Sequence, residues 1–300
     1  MRTGLFIYNP GSGPQSVPKM LDDLLAYALD RGLFLIPFRL YLSAENKTLL
    51  TRLIREPWVE FVVASGGDGT FGFVAQLLLT LRPGMPLGIM PSGTCNDFAE
   101  SLRLPADEWD CINVVAENDP VAFDVGRVNG ERIFLSTCAA GMFVNISYST
   151  SSQLKKTLGP LAYYFSALGE IPRITSFPLR IETESEVVED NFLLFLLTNG
   201  SQAAGLPNIY SKASMRDGYM DLLLIRDVPP IDLPTLLMEL LNRDNIDDGR
   251  WFRRLQARRF KFTSPQAIQT AQDGEEGLPL PLEVEVLEQA LPVFVRGPKD

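Results

Sequence analysis

The stretch at 60–82, EFVVASGGDGTFGFVAQLLLTLR, joins an apolar run to a helix-like run through GGDGT. FVVAS at 61–65 predicts a buried strand, and FGFVAQLLLTLR at 71–82 predicts a helix. The glycines allow an anion to approach the backbone, and the helix N-terminus directs unpaired N–H groups toward it. The loop therefore predicts a phosphate site, in which a divalent cation or a water separates Asp68 from the anion. A tight turn with an Asp cap is the alternative interpretation.

The same strand, loop and helix pattern occurs on both sides of this stretch. The loops NPGSG at 9–13 and PSGT at 91–94 each follow a strand-like run and precede a helix-like run. Ser43, ahead of another helix-like run, is a plausible N-cap. Strands that alternate with helices predict a parallel, doubly wound sheet, in which ligands bind beyond the carboxyl ends of the strands. We therefore expect the three loops to meet at one edge of the sheet.

The pattern changes after about residue 120. Short alternating runs separated by Gly, Pro, Asn and Asp predict a mainly antiparallel β domain, which two helical segments near 153–170 and 231–242 interrupt. The predicted fold class is thus α/β, with a first domain at 1–122 and a β-rich second domain at 123–290. The tail at about 291–300 is a segment that can return to the first domain.

Composition excludes several classes of function. The net charge of −10 and the pI near 4.7 argue against a nucleic-acid binder, which needs a cationic face. The three scattered cysteines predict neither disulfides nor a metal cluster, and no run is long enough for a signal peptide or a membrane span, so we expect a cytoplasmic protein. The sequence has no histidine, so a general base must be a carboxylate, lysine, tyrosine or cysteine.

Together with the three loops, motifs later in the chain resemble the bacterial branch of the diacylglycerol kinase catalytic-domain family, the soluble lipid kinases. The matching stretches are NPGSG, GGDGT, PSGTCNDFAESLRLP (91–105), FDVGRVNGERIFLSTCAAGMF (123–143), SKASMRDGYMDLLLI (211–225) and TAQDGE (270–275). GGDGT is shared with the related NAD kinases and phosphofructokinases, whereas its combination with the other motifs is specific to the lipid kinases.

The resemblance implies a nucleotide-binding α/β domain and a β-sandwich-like domain, with the site in the cleft between them. It implies transfer of the γ-phosphate of ATP to a lipid alcohol such as diacylglycerol, with Mg²⁺. The substrate would be a membrane lipid, so the resemblance also implies a cytoplasmic enzyme that makes transient, peripheral contact with a membrane surface.

Residue roles follow from the same resemblance. It places the nucleotide at the three loops, on Asn9, Pro10, Gly11, Ser12, Gly13, Gly66, Gly67, Asp68, Gly69, Thr70 and Thr94, and also at Ser43. Asp68 and Asp124 would organise the catalytic Mg²⁺ through water. A second, structural metal would lie at Asp217 with the carbonyls of Ser214 and Tyr219.

The DGE motif supplies the predicted base. The resemblance makes Glu275 the base, with Asp273 beside it, and an extended segment would place both side chains on one face. From the residues alone, RDGYMD is better explained as a β-hairpin turn with Asp-Gly at its tip, and QDGEE as a polar turn before a strand.

The sequence departs from the family pattern at three places. In the loop after FRLYL the family often has a threonine, whereas this chain offers Ser43. Phe71, Gly72 and Phe73 stand where an Asn-Glu pair is usual, and Pro14 and Gln15 stand where a lysine is often found. These departures concern the nucleotide contacts. Two alternatives stay open: a soluble-metabolite kinase of the NAD kinase type and, because of Phe71, Gly72 and Phe73, a catalytically silent protein that binds a nucleotide or a lipid.

A basic and aromatic segment, RWFRRLQARRFKF at 250–262, has two interpretations. It is either a membrane-docking surface or a pair of strands with Phe260 and Phe262 inward and the arginines in solvent. The final β segments also offer an exposed edge for a homodimer.

Overall fold

The computed structural model describes residues 1–12, 16–41, 43–141, 175–201, 213–232, 235–236, 239 and 248–297. The chain divides into two compact units. The N-terminal unit comprises Met1–Phe123 and Gln289–Asp300, and the β-rich unit comprises Asp124–Glu288. The chain therefore passes from one unit to the other at 123/124 and again at 288/289.

The N-terminal unit alternates strands and helices. Its strands are β1 Arg2–Tyr8, β2 Leu33–Arg39, β3 Phe61–Gly66 and β4 Leu87–Pro91, and its helices are α1 Ser16–Asp30, α2 Ala44–Ile54, α3 Asp68–Leu81, α4 Asp97–Ser101 and α5 Glu108–Glu117. The strands are parallel in the order β2, β1, β3, β4. This confirms the predicted doubly wound sheet.

Apolar side chains explain why these segments form a buried sheet. All residues of β3 are buried, as expected for a central parallel strand covered on both faces. Phe6, Phe61 and Val63 of the sheet share one core with Leu24 of α1 and Ile112 of α5. Ser43 caps α2 as predicted, because its hydroxyl oxygen accepts the Asn46 N–H at 3.2 Å.

The β-rich unit is built mainly from antiparallel pairs. Its strands are β5 Pro120–Val128, β6 Arg132–Phe134, β7 Thr137–Gly141, β8 Phe177–Glu182, β9 Val187–Thr198, β10 Met220–Arg226, β11 Phe252–Ala257, β12 Arg259–Thr263, β13 Thr270–Gln272, β14 Glu275–Glu276 and β15 Leu282–Phe294. The first residues of β5 and the last residues of β15 belong to the N-terminal unit. Antiparallel pairing runs in the order β14, β13, β7, β9, β8, β12, β15, while β10 pairs with β9 and β11. The antiparallel, sandwich-like character of this unit is also as predicted.

Several elements differ from the sequence prediction. Helix α5 was not predicted, and α3 begins at Asp68, so that DGT forms the first helical turn rather than part of the loop. The run RIFLSTCAAG forms two strands, β6 and β7, instead of one. The helix predicted near 153–170 lies outside the described residues. So does most of the helix predicted near 231–242, where Pro230–Asp232 form a 3-10 turn.

Within the part of the chain that the structure describes, no helix is both long enough and apolar enough to span a membrane.

Candidate active site

The three glycine-containing loops of the N-terminal unit touch one another, as the sequence predicted. The Asn9 side-chain amide donates from Nδ2 to the Thr70 hydroxyl Oγ1 at 3.1 Å, which joins the first loop to the second. The Ser92 N–H donates to the Gly66 carbonyl at 2.7 Å, which joins the third loop to the second. These contacts lie at the carboxyl ends of β1, β3 and β4, where parallel sheets bind their ligands.

Two glycines are required by this packing before any ligand is considered. A Cβ on Gly93 would lie 2.5 Å from the Gly67 Cα, and one on Gly66 would lie 2.4 Å from the Thr70 side chain. Neither separation is compatible with an L side chain in place of glycine. The loops are thus close enough to form one surface, on which Thr94 is exposed.

Asp68 does not cap its own helix. Its Oδ1 accepts the Phe98 N–H at 3.1 Å, and the N–H groups of Asp97 and Asn96 also point at the carboxylate, so Asp68 caps the start of α4. Burial raises the pKa of Asp68, and these backbone hydrogen bonds oppose that rise. Asp68 therefore acts as a helix cap, but the helix that it caps is α4, which follows the third loop.

Asn96 is a loop residue that the sequence analysis did not select. It adopts a left-handed backbone with φ of 55°, its Oδ1 accepts the Gly93 N–H at 2.9 Å, and its Nδ2 donates to the Gly93 carbonyl at 3.2 Å. The Asn in TCND was a usable signal, because Asn tolerates this conformation better than most residues.

The departures from the family pattern fall partly in the core. Phe71 is fully buried in α3, so it packs the helix against the unit rather than facing the loop surface. Gly13, Pro14 and Gln15 lie outside the described residues. Ser43 is exposed and its hydroxyl oxygen is used by the α2 cap, which leaves its O–H as the group available to a nucleotide.

In the β-rich unit, the Asp124 side chain is fully buried and holds the turn at 214–219. Its Oδ2 accepts the Gly218 N–H at 2.8 Å, and its backbone N–H donates to the Met215 carbonyl at 2.8 Å. Asp217 at the tip is exposed, and its Oδ1 accepts the Tyr219 N–H at 3.0 Å. Asp124 therefore orders the turn on which the second metal was predicted.

The oxygen donors of this turn suit Mg²⁺ chemically. The Asp217 carboxylate and the carbonyls of Ser214 and Tyr219 are hard oxygen ligands. The described residues contain no group of three or more acidic or cysteine side chains able to hold a metal, so an all-side-chain cage is not formed there. Mg²⁺ commonly keeps several of its waters and takes few carboxylates, which this donor set allows.

Asp273 and Glu275 lie on a tight hairpin between β13 and β14. Asp273 and Gly274 have φ of 49° and 77°, as in a type I′ turn, and Gln272 pairs with Glu275. The expectation that Asp273 and Glu275 share one face of an extended segment was wrong, because the chain reverses between them. The Asp273 carboxylate accepts three backbone N–H groups, whereas the Glu275 side chain is exposed.

The basic and aromatic segment at 250–262 forms the strand pair rather than a free cationic surface. Phe260 and Phe262 are buried, and Phe262 stacks on Phe195 with ring centroids 4.6 Å apart. Five of its cations form ion pairs, namely Arg250 with Asp232, Arg253 with Glu186, Arg254 with Asp221, Arg258 with Glu288 and Lys261 with Glu283. Neutralised cations attract an anionic bilayer less strongly, so this segment does not argue for membrane docking.

Comparison with known proteins gives family matches over both units. Residues 3–128 match the family described as Diacylglycerol kinase catalytic domain. Residues 137–295 match the family described as YegS C-terminal NAD kinase beta sandwich-like domain.

Similar proteins and structures cover nearly the whole chain. A diacylglycerol kinase of Staphylococcus saprophyticus is 31% identical over 96% of this chain and 93% of its own length. A diacylglycerol kinase of Staphylococcus aureus (strain MRSA252) is 30% identical over 96% of this chain and 90% of its own. The crystal structure of a diacylglycerol kinase from Bacillus anthracis str. Sterne superposes with a TM-score of 0.75 at 19% identity, covering 98% of this chain and 97% of that one. At this identity the structural likeness establishes the fold.

Proposed function

The chain belongs to the diacylglycerol kinase catalytic-domain family, and on that premise we propose that it transfers the γ-phosphate of ATP to a lipid alcohol such as diacylglycerol. The observation that carries the proposal is the meeting of the three glycine-containing loops around Asp68. Phosphoryl transfer depends mainly on positioning and on neutralising charge, which such loops supply.

The N-terminal unit is proposed to bind the nucleotide phosphates. Gly67 and Gly93 are half-buried and bring the backbones of two loops together without side chains, and Gly67 lies at the start of α3, where the helix dipole favours an anion. Thr70, held by Asn9, and the exposed Thr94 offer hydroxyl groups beside this backbone. A nucleotide would be held by hydrogen bonds and dipoles, because the described loop residues 9–12, 66–70 and 91–96 include no lysine or arginine.

Mg²⁺ is the proposed metal. When bound, it would neutralise charge that develops on the transferred phosphoryl group. Asp68 is the proposed water-mediated ligand in the N-terminal unit. In the β-rich unit, Asp124 is proposed for the same kind of role, and Asp217 with the carbonyls of Ser214 and Tyr219 for a structural ion.

Glu275 is the proposed general base. A lipid hydroxyl must lose its proton as it attacks phosphorus, and a carboxylate within hydrogen-bond reach can accept that proton. Glu275 is exposed at the start of β14, so a substrate hydroxyl can approach it from solvent. In a chain without histidine, a carboxylate is the expected group for this step.

The acceptor is proposed to be a lipid taken from a membrane surface. A kinase assay with a lipid panel tests this: vesicles that carry diacylglycerol, a sphingoid base or phosphatidylglycerol are incubated with labelled ATP and Mg²⁺, and NAD in solution serves as the soluble acceptor. We expect label on diacylglycerol and none on NAD. Transfer to NAD would establish the soluble-metabolite kinase instead, and ATP binding without transfer to any acceptor would establish the silent binder.

A further inference from the structure

The Asp273 carboxylate occupies a site made of consecutive backbone amides. Its Oδ2 accepts the Leu135 N–H at 2.7 Å, and its Oδ1 accepts the Ser136 and Thr137 N–H groups at 2.8 and 3.0 Å. The Asp273 N–H donates back to the Thr137 carbonyl at 2.9 Å. Successive N–H groups that converge on one point form an anion-binding concavity, and here a side chain of the same protein fills it.

These contacts argue against Asp273 as a proton acceptor. Both of its oxygens already accept charge-assisted hydrogen bonds, which are the stronger kind, and taking a substrate proton would weaken them. The segment whose amides bind Asp273 also separates two strands, since Leu135 and Ser136 lie between β6 and β7. The carboxylate thus fixes the hairpin that carries Glu275, two residues further on.

Asn199 holds the same backbone segment from the other side. Its Nδ2 donates to the Leu135 carbonyl at 2.9 Å and to the Asp124 carbonyl at 2.7 Å, and its backbone N–H donates to the Ser136 carbonyl at 2.8 Å. The residue is fully buried. One amide therefore links the strand that carries Asp124 to the segment that binds Asp273.

The orientation of the Asn199 amide leaves one oxygen without a partner. Its Oδ1 is buried and accepts no hydrogen bond within the described residues. A flipped amide would place this oxygen against two carbonyl oxygens, so the observed orientation is the favourable one. A buried acceptor without a donor lowers the stability of the fold. The two hydrogen bonds from Nδ2 to the carbonyls therefore outweigh the cost of the unpaired Oδ1.

We propose that Asp273 and Asn199 are positioning residues: Asp273 sets the position of the base Glu275, and Asn199 ties the segment at 135–137 to Asp124. The inference rests on the proposed function, because it concerns the residues assigned to that reaction. It gives the two carboxylates of the DGE motif different tasks, with Asp273 bound to backbone and Glu275 directed to the substrate.

The test is the pH dependence of lipid phosphorylation by the full-length Asp273→Asn variant. We expect kcat to fall by about tenfold or more with the KM for ATP unchanged, while the loss of activity toward acid pH that a carboxylate base gives persists, because the variant retains the proposed base Glu275. If Asp273 were the base, its replacement would abolish that acid-side loss, and the inference would be overturned. Glu276→Gln removes an exposed carboxylate from the same hairpin and should leave kcat unchanged.

A double mutant separates positioning from independent catalysis. If Asp273 acts through Glu275, adding Asp273→Asn to Glu275→Gln should lower kcat by less than about twofold further. Multiplication of the two single effects would show that Asp273 contributes by itself and would overturn the inference.

Hydrogen exchange provides a readout that needs no activity. In Asp273→Asn the amides of Leu135, Ser136 and Thr137 should exchange faster than in the wild type, while the strand β9 keeps its protection. Unchanged exchange at 135–137 would overturn the inference. Lack of transfer by the wild type to every lipid would overturn the proposed function, whereas full activity of Asp273→Asn in an active enzyme would overturn this inference and leave the function standing.

Asn199→Ala tests the second positioning contact, with Asn191→Ala on the exposed part of β9 as the control. We expect Asn199→Ala to lower kcat more than the control and to speed exchange of the amides at 135–137. Equal kcat values for the two variants would overturn the role of Asn199. If Asn199→Ala fails to fold, Asn199→Ser serves in its place, because its shorter hydroxyl cannot reach both carbonyls.

Discussion

Asp68 in the N-terminal unit and Asp273 in the β-rich unit are held in the same way, yet their neighbours differ. Each accepts hydrogen bonds from successive backbone N–H groups, at 96–98 and at 135–137 respectively. Asp273 is followed by the exposed Glu275, whereas the segment that follows Asp68 is helix α3 with the buried Phe71. Under the proposed function, the β-rich unit would divide support and chemistry between Asp273 and Glu275, whereas the N-terminal unit would assign both to Asp68.

The largest expected effect is at Glu275, the proposed base. Glu275→Gln keeps the shape and removes the basicity, so kcat should fall by roughly 10² or more with the KM for ATP nearly unchanged. Thermal unfolding should not change, because the side chain is exposed. Steady-state kinetics and a melting curve check both parts, and a kcat within threefold of wild type would remove Glu275 from the reaction.

A smaller loss, of at least about tenfold in kcat, is expected at Asp68. Asp68→Asn keeps an oxygen for the Phe98 N–H but loses the charge, whereas Asp68→Ala loses both. Both variants should lose activity, and Asp68→Ala should also lose about 0.5–2 kcal/mol of unfolding free energy, as when a helix cap is removed. Equal stability of the two variants in denaturant titration would contradict the capping role.

Metal removal should change the β-rich unit only modestly. Asp124 already holds the turn at 214–219 by two hydrogen bonds, so a metal at Asp217 would add to existing order. We expect a chelator to lower the melting temperature of the wild type by a few degrees at most and to leave Asp217→Asn unaffected. The same shift in both proteins would show that no metal binds at this turn.

The smallest expected effect is a pH-dependent difference in stability at Asp68. Burial raises the pKa of Asp68 above its ordinary 3.8, so the folded chain binds this proton more tightly than the unfolded chain. The resulting contribution to stability is fully present below pH 3.8 and is lost as the pH rises through the pKa of the folded state. In melting curves without metal or nucleotide, the melting temperature of Asp68→Asn should therefore rise relative to that of the wild type as the pH is raised above 3.8. A difference that does not change with pH would contradict this.

Local patterns were sufficient to predict most elements of the fold. Alternating apolar runs and glycine loops predicted the parallel sheet, and short alternating runs predicted the antiparallel unit. Helix α5 was missed although the sequence carries its signals, namely Asp107 as an N-cap residue and the apolar Ile112 and Val115 three positions apart. In the structure Asp107 accepts from the N–H groups of Trp109 and Asp110, and Ile112 and Val115 are buried. A short helix with an acidic first turn is better recognised from its N-cap residue and the spacing of its apolar residues together than from the spacing alone.

The site was predictable as a set of loops but not as a set of contacts. The glycines of GGDGT and PSGT were identified as backbone for a phosphate, yet the approach of Gly67 to Gly93 depends on how two loops meet in space. The break between β6 and β7 could not be predicted from the local sequence. The N–H groups at 135–137 donate to the carboxylate of Asp273, which lies 136 to 138 residues further along the chain. Hydrogen bonds of this range have no periodic signal in sequence.

The return of β15 to the N-terminal unit has a consequence for synthesis on the ribosome. Val293 pairs beside Leu87 at the outer edge of β4, and Val293 and Phe294 are buried in this unit. Translation therefore releases β1 to β4 well before the segment that covers β4, and an uncovered strand edge can pair with other chains. We expect ribosome-bound chains arrested after residue 123 to aggregate or recruit chaperones until that segment emerges, which crosslinking of arrested chains would detect.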